Sequence, residues 1–352
     1  MSKKVSRFAQ WWTRFTNFEF WSFNVFYFPV KIYYAFLALR SRSLFFFTAS
    51  NPSIEFGGML GEKKSEIFDL IPDEYMPVTR LFTSDVSTEE VMTYLQQSKL
   101  SFPIIAKPDV GERGWMVSKL NSEEELSKYL KDIQVNFLIQ EFIDYPLELG
   151  VFYIKVPGEA RGRVTSIVKK GFLSVSGDGE NSVKELLEQN VRAMLQVEFD
   201  SPEVQEIATD IPKNGEEVLV EAIGNHCRGT TFLNYNHWID EALHSAFDQI
   251  SSQIKDFYFG RFDLRCDSIE SLREIKQFKI LELNGAGAEP GHVYHPGSSI
   301  FAAYRDILWH LKMLRRVSAA NRKRGHQYWK FSDGIRKMRE ISAYNQQKES
   351  NT

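Results

Sequence analysis

The sequence predicts an α+β fold, and three observations point there. Two runs late in the chain, YFGRFDLRCDS from Tyr258 and ILELNG up to Gly285, alternate polar and apolar residues with the period of a strand. Ser87-x-x-Glu90, Ser122-x-x-Glu125 and Ser182-x-x-Glu185 carry the capping-box signature that opens helices. Phe301, Tyr304, Ile307, Leu308, Leu311 and Leu314 recur at helical spacing and mark a final amphipathic helix. Residues after about Glu340 are expected to fray.

Length and composition bound the rest. A chain of 352 residues allows about two domains, and 43% hydrophobic content supports a substantial core. A net charge of −3 argues against general nucleic-acid binding. The two cysteines, Cys227 and Cys266, form no CxxC pair, so a reducing, cytoplasmic compartment is expected. Cys227 is expected to be a packed thiol. His226, His292 and His295 with Glu289 fit no standard zinc spacing. There is no internal repeat.

The first fifty residues differ in kind. They hold 17 of the chain's 49 aromatic residues and pattern as aromatic helices. No apolar stretch there reaches the roughly 20 residues that span a bilayer, because Pro29 and Lys31 interrupt it and Asn24 is polar. A compact leucine-rich core with a small-residue cleavage site, the mark of a signal peptide, is missing. Tryptophan and tyrosine favour the membrane–water boundary, and Lys3, Lys4, Arg7, Arg14, Arg40 and Arg42 suit anionic headgroups. Two readings stand side by side: peripheral membrane contact through residues 8–47 on the inner face of the membrane, or an arm packed on the core or in a homodimer. The basic stretch from Lys312 through Arg316, Arg322–Arg324, Lys330 and Arg336–Arg339 would extend such a surface or face solvent.

The chemistry-bearing residues follow in order. FPIIAKPDVGERGWMV, Phe102–Val117, is a short apolar strand that delivers Lys107, then a loop with Gly111 and Gly114 whose amides can cradle phosphate. FLIQEFIDYPLELG, Phe137–Gly150, is a strand with Glu141 at its end, a turn at Tyr145–Pro146, then Glu148. In Arg163–Leu187, Lys169 and Lys170 precede Gly177-Asp178-Gly179, which is expected to be a turn. Alternation lets only one of the two lysines face a ligand. In the last pair of strands Arg261 and Asp263 share a face, as do Glu282 and Asn284, with leucines and Phe262 behind them. Two carboxylates and an amide on one face make a site for a hard cation.

Taken in order and spacing, these pieces resemble the ATP-grasp superfamily of carboxylate–amine ligases, from about Val78 to Leu314. The middle segment is similar to the cyanophycin synthetase, glutamate–cysteine ligase and D-alanine–D-alanine ligase-like branch. The resemblance implies two α/β subdomains clasping ATP. It implies that Lys107 contacts phosphates and that Asp109–Gly114 covers the triphosphate. Gln140, Glu141, Phe142 and Ile143 would hold adenine along the backbone, Glu148 the ribose, and Lys169 or Lys170 the phosphates. Asp263, Glu282 and Asn284 would hold two Mg2+ ions, for which Mn2+ could substitute. Arg261 would steady the acyl phosphate; apart from the resemblance, Arg228 and His292 are candidates for orienting acceptor or donor carboxylates. The implied reaction activates a carboxylate as an acyl phosphate for attack by an amine, giving an amide, ADP and phosphate.

The chain departs from that pattern in three places. His226 and Arg228 in GNHCRGTTFLNYN stand where the branch has small residues, and GAGAEPGH after Asn284 is longer than the usual loop. Relatives carry a Rossmann-like domain before the ligase region, and the roughly 75 residues ahead of it here are expected to be too few to form one. All three fall on the substrate side, so the carboxylate and amine cannot be carried over. The expected division is 1–75 aromatic segment, 76–315 ligase region and 316–352 basic helical tail. The other readings are phosphorylation or ligation of a non-amino-acid substrate, and a non-catalytic nucleotide-binding protein at a membrane surface.

Overall fold

In the computed structural model, which describes residues 4–111, 114–197, 199–220 and 229–350, helices precede, connect and follow antiparallel sheets. That is the expected α+β class. The smaller main sheet holds β1 (Thr79–Phe82), β2 (Ile104–Pro108), β3 (Ser118–Leu120) and β4 (Phe137–Glu141) in the order β1-β4-β2-β3. The larger holds β5 (Leu147–Ile154), β6 (Arg163–Gly171), β9 (Thr231–Asn234), β10 (Phe259–Cys266) and β11 (Phe278–Asn284) in the order β11-β10-β5-β6-β9. A hairpin-like pair, β7 (Ser174–Ser176) and β8 (Glu217–Leu219), stands apart with three short helices.

Helices Thr88–Gln97 and Glu123–Asp132 cover the small sheet, burying Val91, Leu95 and Leu126 against Ile104, Ala106 and Ile139. Their starts follow the predicted caps. Ser87 and Glu90 exchange both capping bonds, as do Ser182 and Glu185. At Ser122 only half the motif forms, because Glu125 reaches past the cap to the Asn121 amide at 2.8 Å. Gly177-Asp178-Gly179 is a local turn: Asp178 accepts from the amides of Glu180 and Asn181, and Gly179 sits at φ 77°.

The two faces of the large sheet differ. On the back, helix Glu241–Ser252 starts at Asp240, whose carboxylate caps the Leu243 amide at 2.9 Å. Its Leu243, Phe247 and Ile250 lie on Val151, Tyr153, Phe262 and Leu264. Each such fully buried side chain contributes about 1.5–3 kcal/mol relative to leaving it exposed. On the front, helix Ile300–Lys323 sets Met313, Leu314 and Val317 against Phe152, Ile154 and Phe259. The rest of the front is polar and is described below.

The aromatic segment divides in two. Phe45, Phe46, Phe47 and Phe56 are buried in the front-face core beside Met313 and Val317. Helix Arg7–Thr16 and one side of helix Phe28–Ser41 remain exposed. Among the described residues no helix is long and apolar enough to cross a membrane.

The C-terminal expectations need correction. Ile300–Lys323 is not the last helix, and the residues after Glu340 do not fray within the described part. Helix Phe331–Ser350 follows. Tyr344 Oη donates to the Val110 carbonyl at 3.0 Å, Ile341 packs beside the aromatic core, and Lys337 pairs with Glu55 at 2.6 Å. These contacts hold a segment whose own composition is polar. Helix Ile300–Lys323 also runs unbroken through the expected division at 315/316.

Candidate active site

Antiparallel pairing of β10 with β11 sets Asp263 opposite Glu282 and Arg261 opposite Asn284. Directly opposed residues share a face, so all four side chains emerge on the polar front. The β5 residues Gly150 and Glu148 lie next to Asp263 and Arg265 across the other edge of β10. Gly150 leaves room there: a Cβ would come within 3.2 Å of Asp263 Oδ1 and 3.3 Å of Arg261 Cδ, pressing on both side chains.

Arg261 grips Asp263 with two hydrogen bonds, Nε to Oδ1 at 3.0 Å and NH2 to Oδ2 at 2.9 Å. Asn284 Nδ2 adds a third, to Oδ2 at 3.1 Å. Burial disfavours the Asp263 charge, yet Arg261 and Lys170 hold its carboxyl below the usual carboxylate range. Burial likewise works against Arg261, and Asp263 more than offsets it, so the guanidinium stays charged.

Of the two adjacent lysines, Lys170 faces the site. Its Nζ lies 3.0 Å from Glu148 Oε1 and 3.8 Å from Asp263 Oδ1. Burial would strip its charge, but Asp263 and Glu148 raise its pKa. Lys169 turns the other way, over the Tyr235 ring at 5.6 Å. Glu148 Oε2 also accepts from Arg265 Nε at 2.9 Å. The residue expected at a ribose is thus shared by two cations.

Lys107 joins the two main sheets. Its amine donates to Gln140 Oε1 on β4 and to the Leu281 carbonyl on β11, both at 2.9 Å, and lies 5.0 Å from the Phe68 ring centre. Burial pushes its pKa down to about 7; Glu282 opposes that shift and Lys64 adds to it. Gln140 passes the network on to Thr79 through Nε2 at 2.9 Å. The Asp109 end of the glycine loop is pinned by Ser65, whose amide donates to Asp109 Oδ1 at 2.8 Å, and Lys64 Nζ donates to the Gly111 carbonyl at 2.8 Å. Gly114, at φ 73°, lies at the far side of the loop.

The segment after β4 is tied down by side chains. Glu141 exchanges two bonds with Val78, amide to carbonyl at 2.8 Å and carboxylate from amide at 3.1 Å. The Phe142 ring has Lys119 Nζ at 4.2 Å and the Arg265 guanidinium at 5.4 Å. Ile143 accepts from Arg265 NH1 at 2.8 Å. Arg265 therefore links this segment to Glu148. It shares the face of Arg261 and Asp263 at two-residue spacing, the one signal that could have found it.

At the end of β10 away from Arg265, Arg261 NH1 donates to the Glu289 carbonyl at 3.3 Å. The Glu289 carboxylate is bonded by Tyr294 Oη at 2.7 Å and by Tyr27 Oη. Tyr27 comes from the aromatic segment, so that segment forms part of the wall beside Arg261. His292 has both ring nitrogens occupied, Nδ1 by Ser166 Oγ at 2.8 Å and Nε2 by Asp306 at 3.1 Å. Cys266 is buried among apolar side chains, and burial lifts its thiol to about 12. His226, Cys227 and Arg228 lie outside the described residues.

The donor set fits a hard cation. Glu282 has no hydrogen bond or ion pair among the described residues. A carboxylate offers about four lone-pair directions, of which Asp263 spends three, leaving one on Oδ1. Among the described residues no cluster of three His, Cys, Asp or Glu side chains could hold a metal. A cation held here would need the Asn284 amide oxygen as well as the two carboxylates.

No protein-family model and no curated protein matches the chain. Among solved structures it is similar to a D-Ala:D-Ser ligase of Enterococcus faecalis, at TM-score 0.41 and 12% identity over 73% of this chain and 61% of that one. It is similar to a D-alanine–D-alanine ligase of Bacillus anthracis complexed with ATP, at 0.39 and 14%, over 77% of this chain and 69% of that one. A bifunctional glutathione synthetase of Pasteurella multocida matches at 0.36 and 14%, over 68% of this chain and 34% of that one. The chain thus spans less than two thirds of the D-Ala:D-Ser ligase.

Proposed function

We propose that this chain is an ATP-dependent, ADP-forming carboxylate–amine ligase of the ATP-grasp type. One observation carries the reading. The β10–β11 register gathers Arg261, Asp263, Glu282 and Asn284 on one face, and Lys170 and Lys107 approach that face from two other strands. Three cations and two carboxylates focused on one strand pair suit a polyanion with its counter-ion, where fixed charges act without reorganising.

In this reading ATP lies between the two sheets, its phosphates toward Lys107 and Lys170 and its base toward Phe142 and Ile143. Asp263, Glu282 and Asn284 hold Mg2+, which when bound neutralises phosphate oxygens during transfer. A substrate carboxylate oxygen attacks the γ-phosphorus, and the bond to the bridging oxygen breaks, with ADP leaving on that electron pair. An amine nitrogen then attacks the acyl carbon, the carbon–oxygen bond to phosphate breaks, and the surplus ammonium proton passes to solvent. Arg261 faces the oxyanion of the tetrahedral intermediate. The carboxylate and amine are small molecules.

Calorimetric titration with ATP and Mg2+ tests the site. Binding that weakens at least tenfold in Lys170→Met, with adenosine affected much less, supports the reading. Wild-type protein that binds no nucleotide overturns it.

A further inference from the structure

We propose that the exposed part of the aromatic segment docks on an anionic lipid surface. In helix Phe28–Ser41, Phe28, Ile32, Phe36 and Leu39 are all exposed, Leu39 at 78%. At 3.6 residues per turn they fall within about 80° of arc, opposite the buried Leu37 and Ser41. Lys31 and Arg40 flank this ridge on either side, with their charges over the rings of Phe23 and Phe36 at 5.6 and 5.8 Å. Helix Arg7–Thr16 repeats the arrangement with Phe8, Trp11, Trp12 and Phe15, exposed and spaced i, i+3, i+4, i+7, beside Arg7 and Arg14.

The first ridge runs into a groove. A cavity of about 810 Å³ opens at the end of helix Phe28–Ser41, with Leu39, Leu44 and Phe331 among its apolar lining and Arg42, Arg322 and Lys330 among its charged lining. An apolar channel edged by three cations matches an anionic headgroup with its acyl chain.

Charge decides between a lipid and a second copy of the chain. Glu19 is the only acid between residues 4 and 47, and it is paired with Arg192 at 2.8 Å. Six Lys or Arg residues stand against that one acid between residues 4 and 47, while the chain as a whole carries −3, so net positive charge is concentrated here. In a two-fold dimer such a patch meets itself, setting cations against cations around the apolar ridge. An anionic bilayer presents the opposite sign, and aromatic side chains favour its interfacial layer.

Flotation of the full chain with vesicles of neutral phosphatidylcholine, with and without about a third phosphatidylglycerol, tests this. The expected result is binding to the anionic vesicles at least tenfold above the neutral ones, reduced by salt, with a blue shift of tryptophan emission. The double variants Phe36→Glu/Leu39→Glu and Trp11→Glu/Phe15→Glu change only exposed positions, and each should lower vesicle binding at least tenfold with unchanged circular dichroism. Two results overturn the proposal. One is full-length protein that ignores anionic vesicles. The other is a dimer in solution that these variants dissociate while vesicle binding is absent.

Discussion

Arg261 and Asp263, two residues apart on one strand, are joined by paired hydrogen bonds of 3.0 and 2.9 Å, with the guanidinium also reaching the Glu289 carbonyl at 3.3 Å. The same side chain thus orients a proposed metal ligand and borders the proposed acyl site. The planar guanidinium binds the two carboxylate oxygens through two separate nitrogens in a preorganised fork, which an ammonium cannot reproduce. Arg261→Lys keeps one charge and loses that geometry. Its expected effect is a loss of at least about 100-fold in single-turnover ADP formation, near 2.7 kcal/mol of barrier, with ATP affinity changed little. A loss confined to ATP affinity would assign Arg261 to ground-state binding.

Burial lowers the pKa of Lys107 to about 7, so the proposed nucleotide binding should depend on pH. Phosphate favours the ammonium, so the bound lysine holds its proton to higher pH. Below pH 7 the free protein is already protonated and affinity is full. Above 7 the free protein must take up a proton to bind, and ATP affinity should fall up to about tenfold per pH unit, while adenosine affinity stays level. Lys107→Met should flatten the ATP profile. A wild-type profile that is flat between pH 7 and 9 would contradict the assignment.

The same shift acts on folding. The unfolded lysine keeps its proton up to its ordinary pKa near 10.4, whereas the folded one loses it near 7. Between those values the unfolded state binds more protons, so this group makes stability rise with pH. Urea denaturation at pH 7 and pH 9 should show a larger pH-dependent gain for wild type than for Lys107→Met.

Arg265 and Glu148 form a buried ion pair, with side-chain exposures of 13% and 7%. Arg265→Met strips one partner from Glu148 and from the Ile143 carbonyl. Removing one member of a buried pair costs about 3–5 kcal/mol, and Lys170 at 3.0 Å should hold the cost to the lower end. Urea denaturation measures it, and a change under about 1 kcal/mol would mean that Lys170 alone satisfies the carboxylate.

What could be read in advance followed local rules. Strand alternation placed Arg261 with Asp263 and Glu282 with Asn284, and cap spacing placed the helices at Thr88 and Val183. Facing across strands was harder. Lys169 and Lys170 differ only in which side of β6 they occupy, and that side depends on the β5 register, which shifts between Phe152 and Tyr153. Contacts between distant segments left no local mark: Tyr27 meets Glu289, and Tyr344 meets Val110, by tertiary packing alone. The tail was expected to be helical, but its docking left no mark either, since its polar composition says nothing of the surface it packs on. Half of the aromatic segment entered the core because Phe45, Phe46 and Phe47 lie next to the long helix, which composition could not distinguish from the exposed half.

In the proposed reaction ATP phosphorylates a carboxylate over Asp263, Glu282 and Asn284. Hydroxylamine captures an acyl phosphate as a hydroxamate without knowledge of the natural amine. Incubation with ATP, Mg2+, hydroxylamine and a panel of amino-acid and short dicarboxylic acids measures it directly. Equal amounts of ADP and hydroxamate are expected for at least one acid, with both falling below about a tenth in Glu282→Ala, a barrier increase of more than ~1.4 kcal/mol. AMP in place of ADP, or hydroxamate formation that persists in Glu282→Ala, would contradict it.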